Sequence, residues 1–153
     1  MRMRRLAIAI TILVASGASA TAEDLSKPEC FDAQVLARII KQTPTAFPDC
    51  GKDCIVMSWP WIDELDVERV IRGSAPTGRL KVLVVQHTRY RDDLGSRRWW
   101  LRRNDLGGFN LLRLGEGEHT NQCAKTAPPA RAHLHPGPGQ TLDGVEKEAE
   151  KVG

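Results

Sequence analysis

The chain has 153 residues, with 22 Lys and Arg against 19 Asp and Glu. Three of the basic residues lie in a predicted leader over residues 1–22, whereas every acidic residue lies beyond it, so the mature chain would be close to neutral. A near-neutral chain is not drawn as a whole to nucleic acid or to an anionic membrane, and any such binding must come from a local cluster of charge.

The leader has the three-part layout of a secretory signal peptide. Arg2, Arg4 and Arg5 precede the apolar run of residues 6–14, and the small residues 18–20 follow it. A transmembrane anchor needs about 20 apolar residues, more than twice this run. We therefore predict cleavage after residue 20 or 22 and a periplasmic or secreted protein with no transmembrane segment after cleavage.

Four cysteines lie in the mature part of the chain, and export would deliver them to an oxidising compartment where disulfides persist. Three pairings are open to them. We favour Cys50 with Cys54, which is local, and Cys30 with Cys123, which ties the two ends of the domain together. A redox or metal role for the close pair is disfavoured because its spacing is Cys-x3-Cys rather than Cys-x2-Cys.

The first element predicted after the leader is a short amphipathic helix over residues 32–42. Its apolar residues Val35, Leu36, Ile39 and Ile40 fall on one helical face, and two prolines follow it.

The centre of the chain predicts strands. Residues 55–59 suggest a first strand interrupted at Pro60, which indicates a bulge or an edge. Residues 65–88 suggest a β-hairpin, although its first arm would also suit one helical turn. The second arm holds four consecutive aliphatic residues, 82–85, and is apolar on both faces, which is typical of a strand covered on both sides.

Two further strands are predicted over residues 99–102 and 109–114, on either side of a turn-rich spacer. From Ala124 the chain becomes rich in Pro, Gly and charge, and we predict a disordered tail over residues 124–153. This leaves residues 23–123, about 100 residues, for a single disulfide-containing domain. The prediction is a mostly β (α+β) fold: a small five-stranded OB-like barrel, or a curled antiparallel sheet, with one N-terminal helix.

The order of elements invites a comparison. Residues 67–73, the apolar run 80–85, a strand at residues 99–101, residues 108–111 and the closing Cys123 resemble the strand pattern of netrin-like domains. These are the OB-type barrels of the tissue inhibitors of metalloproteinases and their bacterial counterparts, and the resemblance covers roughly residues 54–123. Those inhibitors act through a cysteine at the mature N-terminus. Cys30 lies inside the mature chain, so the resemblance implies the fold without implying protease inhibition.

The most unusual composition is the basic, aromatic run of residues 97–103. On a strand, Trp99 and Leu101 would point to the core, whereas Arg98, Trp100 and Arg102 would share the opposite face. That face could stack on a sugar ring or base and pair with an anion. The alternative is that both tryptophans pack and the arginines pair with nearby acids.

Two other groups of residues are candidates for a functional site. The indoles of Trp59 and Trp61 could line a groove, although such residues more often fill a core. An enzyme could use His87 as a base, with Asp92 or Asp93 as the orienting acid. Ser58, Ser74 and Ser96 are candidate nucleophiles, yet none lies in a nucleophile-elbow motif and no phosphate-loop motif is present. We predict no catalytic residue, metal or cofactor.

The expected function is an exported binding module for an anionic polysaccharide or a protein partner. The alternative is a periplasmic hydrolase using His87.

Overall fold

The computed structural model describes residues 30–52, 55–90, 93, 95–114 and 121–151. The predicted leader and Cys54 lie outside these residues. The described elements are five strands and one helix: β1 (Ala33–Pro44), β2 (Trp59–Gly73), β3 (Gly78–Gln86), β4 (Arg97–Arg103), β5 (Phe109–Leu114) and α1 (Leu142–Ala149). In this part of the chain, no helix has the length and apolar character needed to cross a membrane.

The five strands close into a barrel with the order β1-β2-β3-β5-β4. Strands β3 and β5 pair in parallel, and the other neighbours pair antiparallel. Strand β1 closes the barrel because it pairs with β2 on one side and with β4 on the other. The predicted mostly β fold with five strands is therefore confirmed, and the predicted hairpin is β2 with β3.

Alternate residues of each strand fill the barrel interior. The inner side chains include Val35, Leu65, Val82, Trp99 and Leu101, each no more than 1% exposed. Strand β3 is covered on both sides as its sequence predicted, because its outward Leu83 packs against Ala132 of the C-terminal segment.

The helix predicted over residues 32–42 is wrong, because these residues form β1. Adjacent apolar pairs such as Val35-Leu36 satisfy both a helical and an alternating pattern, so periodicity could not separate them. Because this segment forms hydrogen bonds to β2 on one side and to β4 on the other, it adopts the strand conformation, in which Val35 faces the barrel interior. The strand predicted at residues 55–59 is also absent apart from Trp59, the first residue of β2.

The disulfide between Cys30 and Cys123 is confirmed, with Cα atoms 4.9 Å apart and a sequence separation of 93. Beside it, the Phe31 N–H donates to the Asn121 carbonyl and the Cys123 N–H donates to the Phe31 carbonyl. Cys50 is also disulfide-bonded, and its expected partner Cys54 lies outside the described residues.

The disordered tail predicted from Ala124 differs from the structure, in which residues 124–151 are described and pack on the barrel. Composition misled the prediction because this segment is held largely by hydrogen bonds and ion pairs. Its apolar contacts with the barrel include those of Ala132, Leu134 and Leu142.

Gly73, at the end of β2, lies against the start of β1. Its φ is +73°, and a Cβ atom there would sit 1.9 Å from the carbonyl oxygen of Asp32. Gly78, at the other end of the same turn, has φ +78° with open space around it. The two glycines therefore share a backbone conformation but differ in the room for a side chain.

We expect Gly78→Ala to cost about 1–2 kcal/mol of unfolding free energy, the penalty for a left-handed residue. Gly73→Ala should cost roughly 1–3 kcal/mol more, because the added methyl group displaces backbone. Urea unfolding of the two variants measures the difference. Equal losses would contradict the close contact with Asp32.

Candidate functional site

The outer face of β2, β1 and β4 carries a group of arginines. Cross-strand neighbours share a face, and one row across the three strands reads Arg69, Leu36, Arg98. The next row reads Arg72, Gln34, Trp100. Arg38 lies two residues beyond Leu36 on the same face of β1. We call the surface formed by Arg38, Arg69, Arg72 and Arg98 the arginine face.

Irregularities in β2 place Arg69 and Arg72 together. The register of β1 against β2 shifts between Gln34 and Val35 and again between Leu36 and Ala37. Each shift leaves an extra residue in β2, so that residues three apart face the same way. Strict alternation would have put Arg69 and Arg72 on opposite faces, and so the sequence did not reveal them.

The arginine face carries more positive charge than negative. Arg38 donates from Nε (3.1 Å) and Nη2 (2.8 Å) to Oδ2 of Asp66. Arg69, Arg72 and Arg98 are exposed and form no ion pair within the described ranges. Three guanidinium groups are therefore available to an external anion.

The surface predicted from Arg98, Trp100 and Arg102 is corrected by the structure. The alternation is confirmed, since Trp99 and Leu101 are in the core, but Trp100 is 3% exposed and Arg102 is 7% exposed. The outward side of β4 is packed rather than open there, so only Arg98 of the three is accessible. Neither an exposed indole nor a free Arg102 is present for a ligand.

Arg102 is occupied by Asp32, which precedes β1. Its Nη1 atom lies 2.5 Å from Oδ2 of Asp32, and the same carboxylate accepts from the Arg103 backbone N–H (2.7 Å) and Nε (3.1 Å). Burial acts to raise the pKa of Asp32, but the hydrogen bonds from Arg103 and Arg102 outweigh it and hold that pKa below its usual value. Arg102 also donates to the Pro128 carbonyl.

From Pro128 the chain runs across the outside of the barrel, and we call residues 128–149 the strap. On β5, the buried Asn110 donates to the Arg131 carbonyl (2.7 Å) and accepts from the His133 N–H (3.1 Å). Asp105 holds the strap at Ala132, whose N–H donates to its carboxylate (2.9 Å). The strap therefore passes from β4 over β5 towards β3, β2 and β1, the order of the strands around the barrel.

The strap ends in α1, which is held by two lysines. Glu146, whose side chain is 9% exposed, lies 2.7 Å from Nζ of Lys81 and 3.2 Å from Nζ of Lys41. Lys81 also pairs with Asp143 (2.9 Å), and Lys41 with Glu150. Hydrogen bonds to Glu146 and Asp143 raise the pKa of Lys81. Burial opposes ionisation of Glu146, yet both lysines together lower its pKa.

One buried acid in the barrel, Asp63, has no hydrogen-bond partner in the part of the chain that the structure describes. Asp63 on β2 is fully buried, and neither carboxylate oxygen has a hydrogen-bond partner within the described residues. Burial raises its pKa to about 7. Gln42, opposite Asp63 on β1, accepts from the Tyr90 N–H (2.7 Å) and donates to the Tyr90 carbonyl (3.0 Å), so Tyr90 is fixed at this end of the barrel. Burial and the charge of Asp63 both raise the pKa of Tyr90.

The other aromatic candidates are largely structural. Trp61 is in the core, and Trp59 packs on it with ring centroids 5.4 Å apart. Phe47 covers Trp59 edge-on at 5.1 Å and is itself 62% exposed, close in sequence to the exposed Ile55 and Met57.

The hydrolase alternative gains no support from the contacts of His87. Its Nδ1 atom lies 2.5 Å from the carbonyl oxygen of Met57, so the backbone engages that nitrogen. Asp92 lies outside the described residues. Ser96, one of the candidate nucleophiles, donates to Glu68. Within the described ranges, no group of three or more His, Cys, Asp or Glu side chains could hold a metal ion.

The raised pKa of Asp63 makes a prediction for stability. Between the ordinary pKa of 3.8 and about 7, the unfolded chain loses this proton while the folded chain keeps it, so the unfolding free energy should fall as pH rises through this window. One pKa unit corresponds to about 1.36 kcal/mol, which puts an upper bound of roughly 4 kcal/mol on the effect.

Asp63→Asn should remove most of this pH dependence and raise stability at pH 8. Asp49→Asn, in an exposed loop, serves as the control and should keep the wild-type profile. Denaturant unfolding at pH 4 to 8 makes the measurement. If the unfolding free energy of Asp63→Asn falls with rising pH as steeply as that of the wild type, Asp63 does not titrate in the barrel.

Comparison of the chain with protein-family models, with curated proteins and with solved structures found no match in any of the three. The resemblance to netrin-like domains therefore stays a prediction.

Proposed function

We propose that this chain is an exported binding module that holds an anionic polysaccharide on the arginine face. The observation that carries the proposal is a set of three exposed arginines that form no ion pair among the described residues: Arg69 and Arg72 on β2, and Arg98 on β4, the two strands that flank β1. The disulfide between Cys30 and Cys123 is consistent with export.

Arginine suits this task because its planar guanidinium group can form two parallel hydrogen bonds to a carboxylate or sulfate. Neighbouring strands lie about 4.8 Å apart, so Arg69 and Arg98, on either side of β1, have backbones about 10 Å apart. That separation favours a ligand with repeated charges over a single small anion. Because the mature chain is near neutral, binding would come from this local cluster and would weaken with salt.

The buried Trp100 favours a polysaccharide over a single-stranded nucleic acid. Modules that bind single strands combine basic grooves with exposed rings on which bases stack. The indole on this face is 3% exposed, so a ligand would be held by charge and hydrogen bonds, with Leu36 and Gln34 between the arginines.

The test is titration of fluorescently labelled heparin, a sulfated polysaccharide, with the double variant Arg69→Ala, Arg98→Ala. We expect at least tenfold weaker binding and a shallower salt dependence. A hydrogen bond to a charged group contributes roughly 1.5–3 kcal/mol, and two such contacts are removed.

Arg79→Ala is the matched control, because Arg79 is an exposed arginine on β3 whose guanidinium group pairs with Glu64 (3.2 Å), whereas Arg69 and Arg98 form no ion pair among the described residues. It should bind heparin as the wild type does, and neutral dextran should bind to neither protein. Equal weakening by Arg79→Ala, or unchanged binding by the double variant, would contradict the proposal. Tighter binding to single-stranded DNA than to heparin would reject the ligand class.

A further inference from the structure

The surface beneath α1 combines two lysines with an apolar floor. Lys41 and Lys81 lie opposite Glu64 on either side of β2, so all three share the outer face of the barrel. The outward residues Ile62 and Leu83 lie beside them and contact the strap. We call the surface formed by Lys41, Ile62, Lys81 and Leu83 the lysine groove.

Helix α1 fits this groove by charge. Asp143, Glu146 and Glu150 are spaced three and four residues apart, which puts them on one side of a helix. All three pair with Lys41 or Lys81, and Glu146 pairs with both. Leu142, one residue before Asp143, is the apolar residue of the helix that packs near Ile62 and Leu83.

The fit is incomplete on several sides. A void of about 40 Å³ remains between Leu142 and the groove floor at Ile62 and Leu83. A cleft of about 380 Å³ separates Val145 and Ala149 from the loop at Phe47. A third space, of about 630 Å³, opens beside Lys41 and Glu150. The groove therefore has room for a longer or bulkier helix than α1.

The attachment of α1 is also weak. An eight-residue helix is too short to persist in water alone, so it exists because it docks. The exposed ion pairs of Asp143 and Glu150 contribute only about 0–1 kcal/mol each. For the buried Glu146, the cost of desolvation offsets much of the attraction to the two lysines, and Leu142 adds apolar burial. The preceding chain contains two prolines and two glycines at residues 136–139, so displacement of α1 need not disturb the strap at Asn110.

We infer that the lysine groove is a docking site for an acidic amphipathic helix of a protein partner, and that α1 occupies it until that helix displaces α1. The recognised pattern is an apolar residue followed by acids one, four and eight positions later, as in Leu142, Asp143, Glu146 and Glu150. This inference does not rest on the arginine face.

The probe is a fluorescein-labelled peptide of residues 140–153, used with full-length protein. In the wild type, α1 competes with the peptide. The variant Asp143→Ala, Glu146→Ala weakens α1 but leaves the groove intact, so the peptide should bind it at least tenfold more tightly. Adding Lys41→Ala and Lys81→Ala should abolish that binding, whereas adding Lys125→Ala, an exposed lysine at the edge of another surface cleft, should not.

Two further measurements keep the test decisive. The same peptide with Glu146→Gln and Glu150→Gln should bind weakly, and circular dichroism should show that every protein variant keeps its barrel. Loss of the barrel on weakening α1 would overturn the inference, because α1 would then be integral to the fold. Failure of the peptide to bind, or binding that survives loss of both lysines, would also overturn it. Heparin binding to the vacated groove without peptide binding would reject a protein partner.

Discussion

The carboxylate of Asp32 links the start of β1 to the end of β4, two neighbouring strands of the closed barrel. It lies at the start of β1 and accepts hydrogen bonds from the Arg102 side chain and from both the backbone and the side chain of Arg103 at the end of β4. The Asp32 N–H donates to the Leu101 carbonyl, and the Asp32 carbonyl oxygen lies 1.9 Å from the position that a Cβ atom of Gly73 would take. A buried carboxylate is costly unless it is hydrogen-bonded, and here Arg102 and Arg103 satisfy it.

The same contact organises the outside of the barrel. Arg102 bridges Asp32 to the Pro128 carbonyl, where the strap begins its path over β5 and β3 to the lysines. The strap therefore covers one outer surface, while the arginine face on β2, β1 and β4 stays exposed. Along the outside of β1 and β2, the arginine face is exposed, and the lysine groove that follows it holds the acidic helix α1. Both proposals place binding on outward side chains, whereas the inner ones form the core.

The sequence predicted the β architecture because β-branched residues and turn-forming glycines mark the β2–β3 hairpin. It also predicted the pairing of Cys30 with Cys123. Prediction from the sequence failed where the spacing of apolar residues fits both a helix and a strand, as at Val35-Leu36 in β1. It also failed where bulges interrupt the alternation of side chains along a strand, as at Arg69 and Arg72 in β2. Composition predicted disorder for the strap because polar anchors such as Asn110 lie far away in sequence. The burial of Trp100 and Arg102 depends on such long-range contacts and could not be predicted from their strand alone.

The role of Asp32 in holding both β1 against β4 and the strap is tested most directly by amide hydrogen exchange on Asp32→Asn. This variant keeps the side-chain shape but removes the charge that pairs with Arg102 and Arg103. We expect a coordinated loss of protection in the β1–β4 ladder and in the strap at residues 130–133, because one carboxylate supports both. Hydrogen bonds within the β2–β3 hairpin should be affected least. Loss of protection confined to residues 30–33, with the strap as protected as in the wild type, would contradict it.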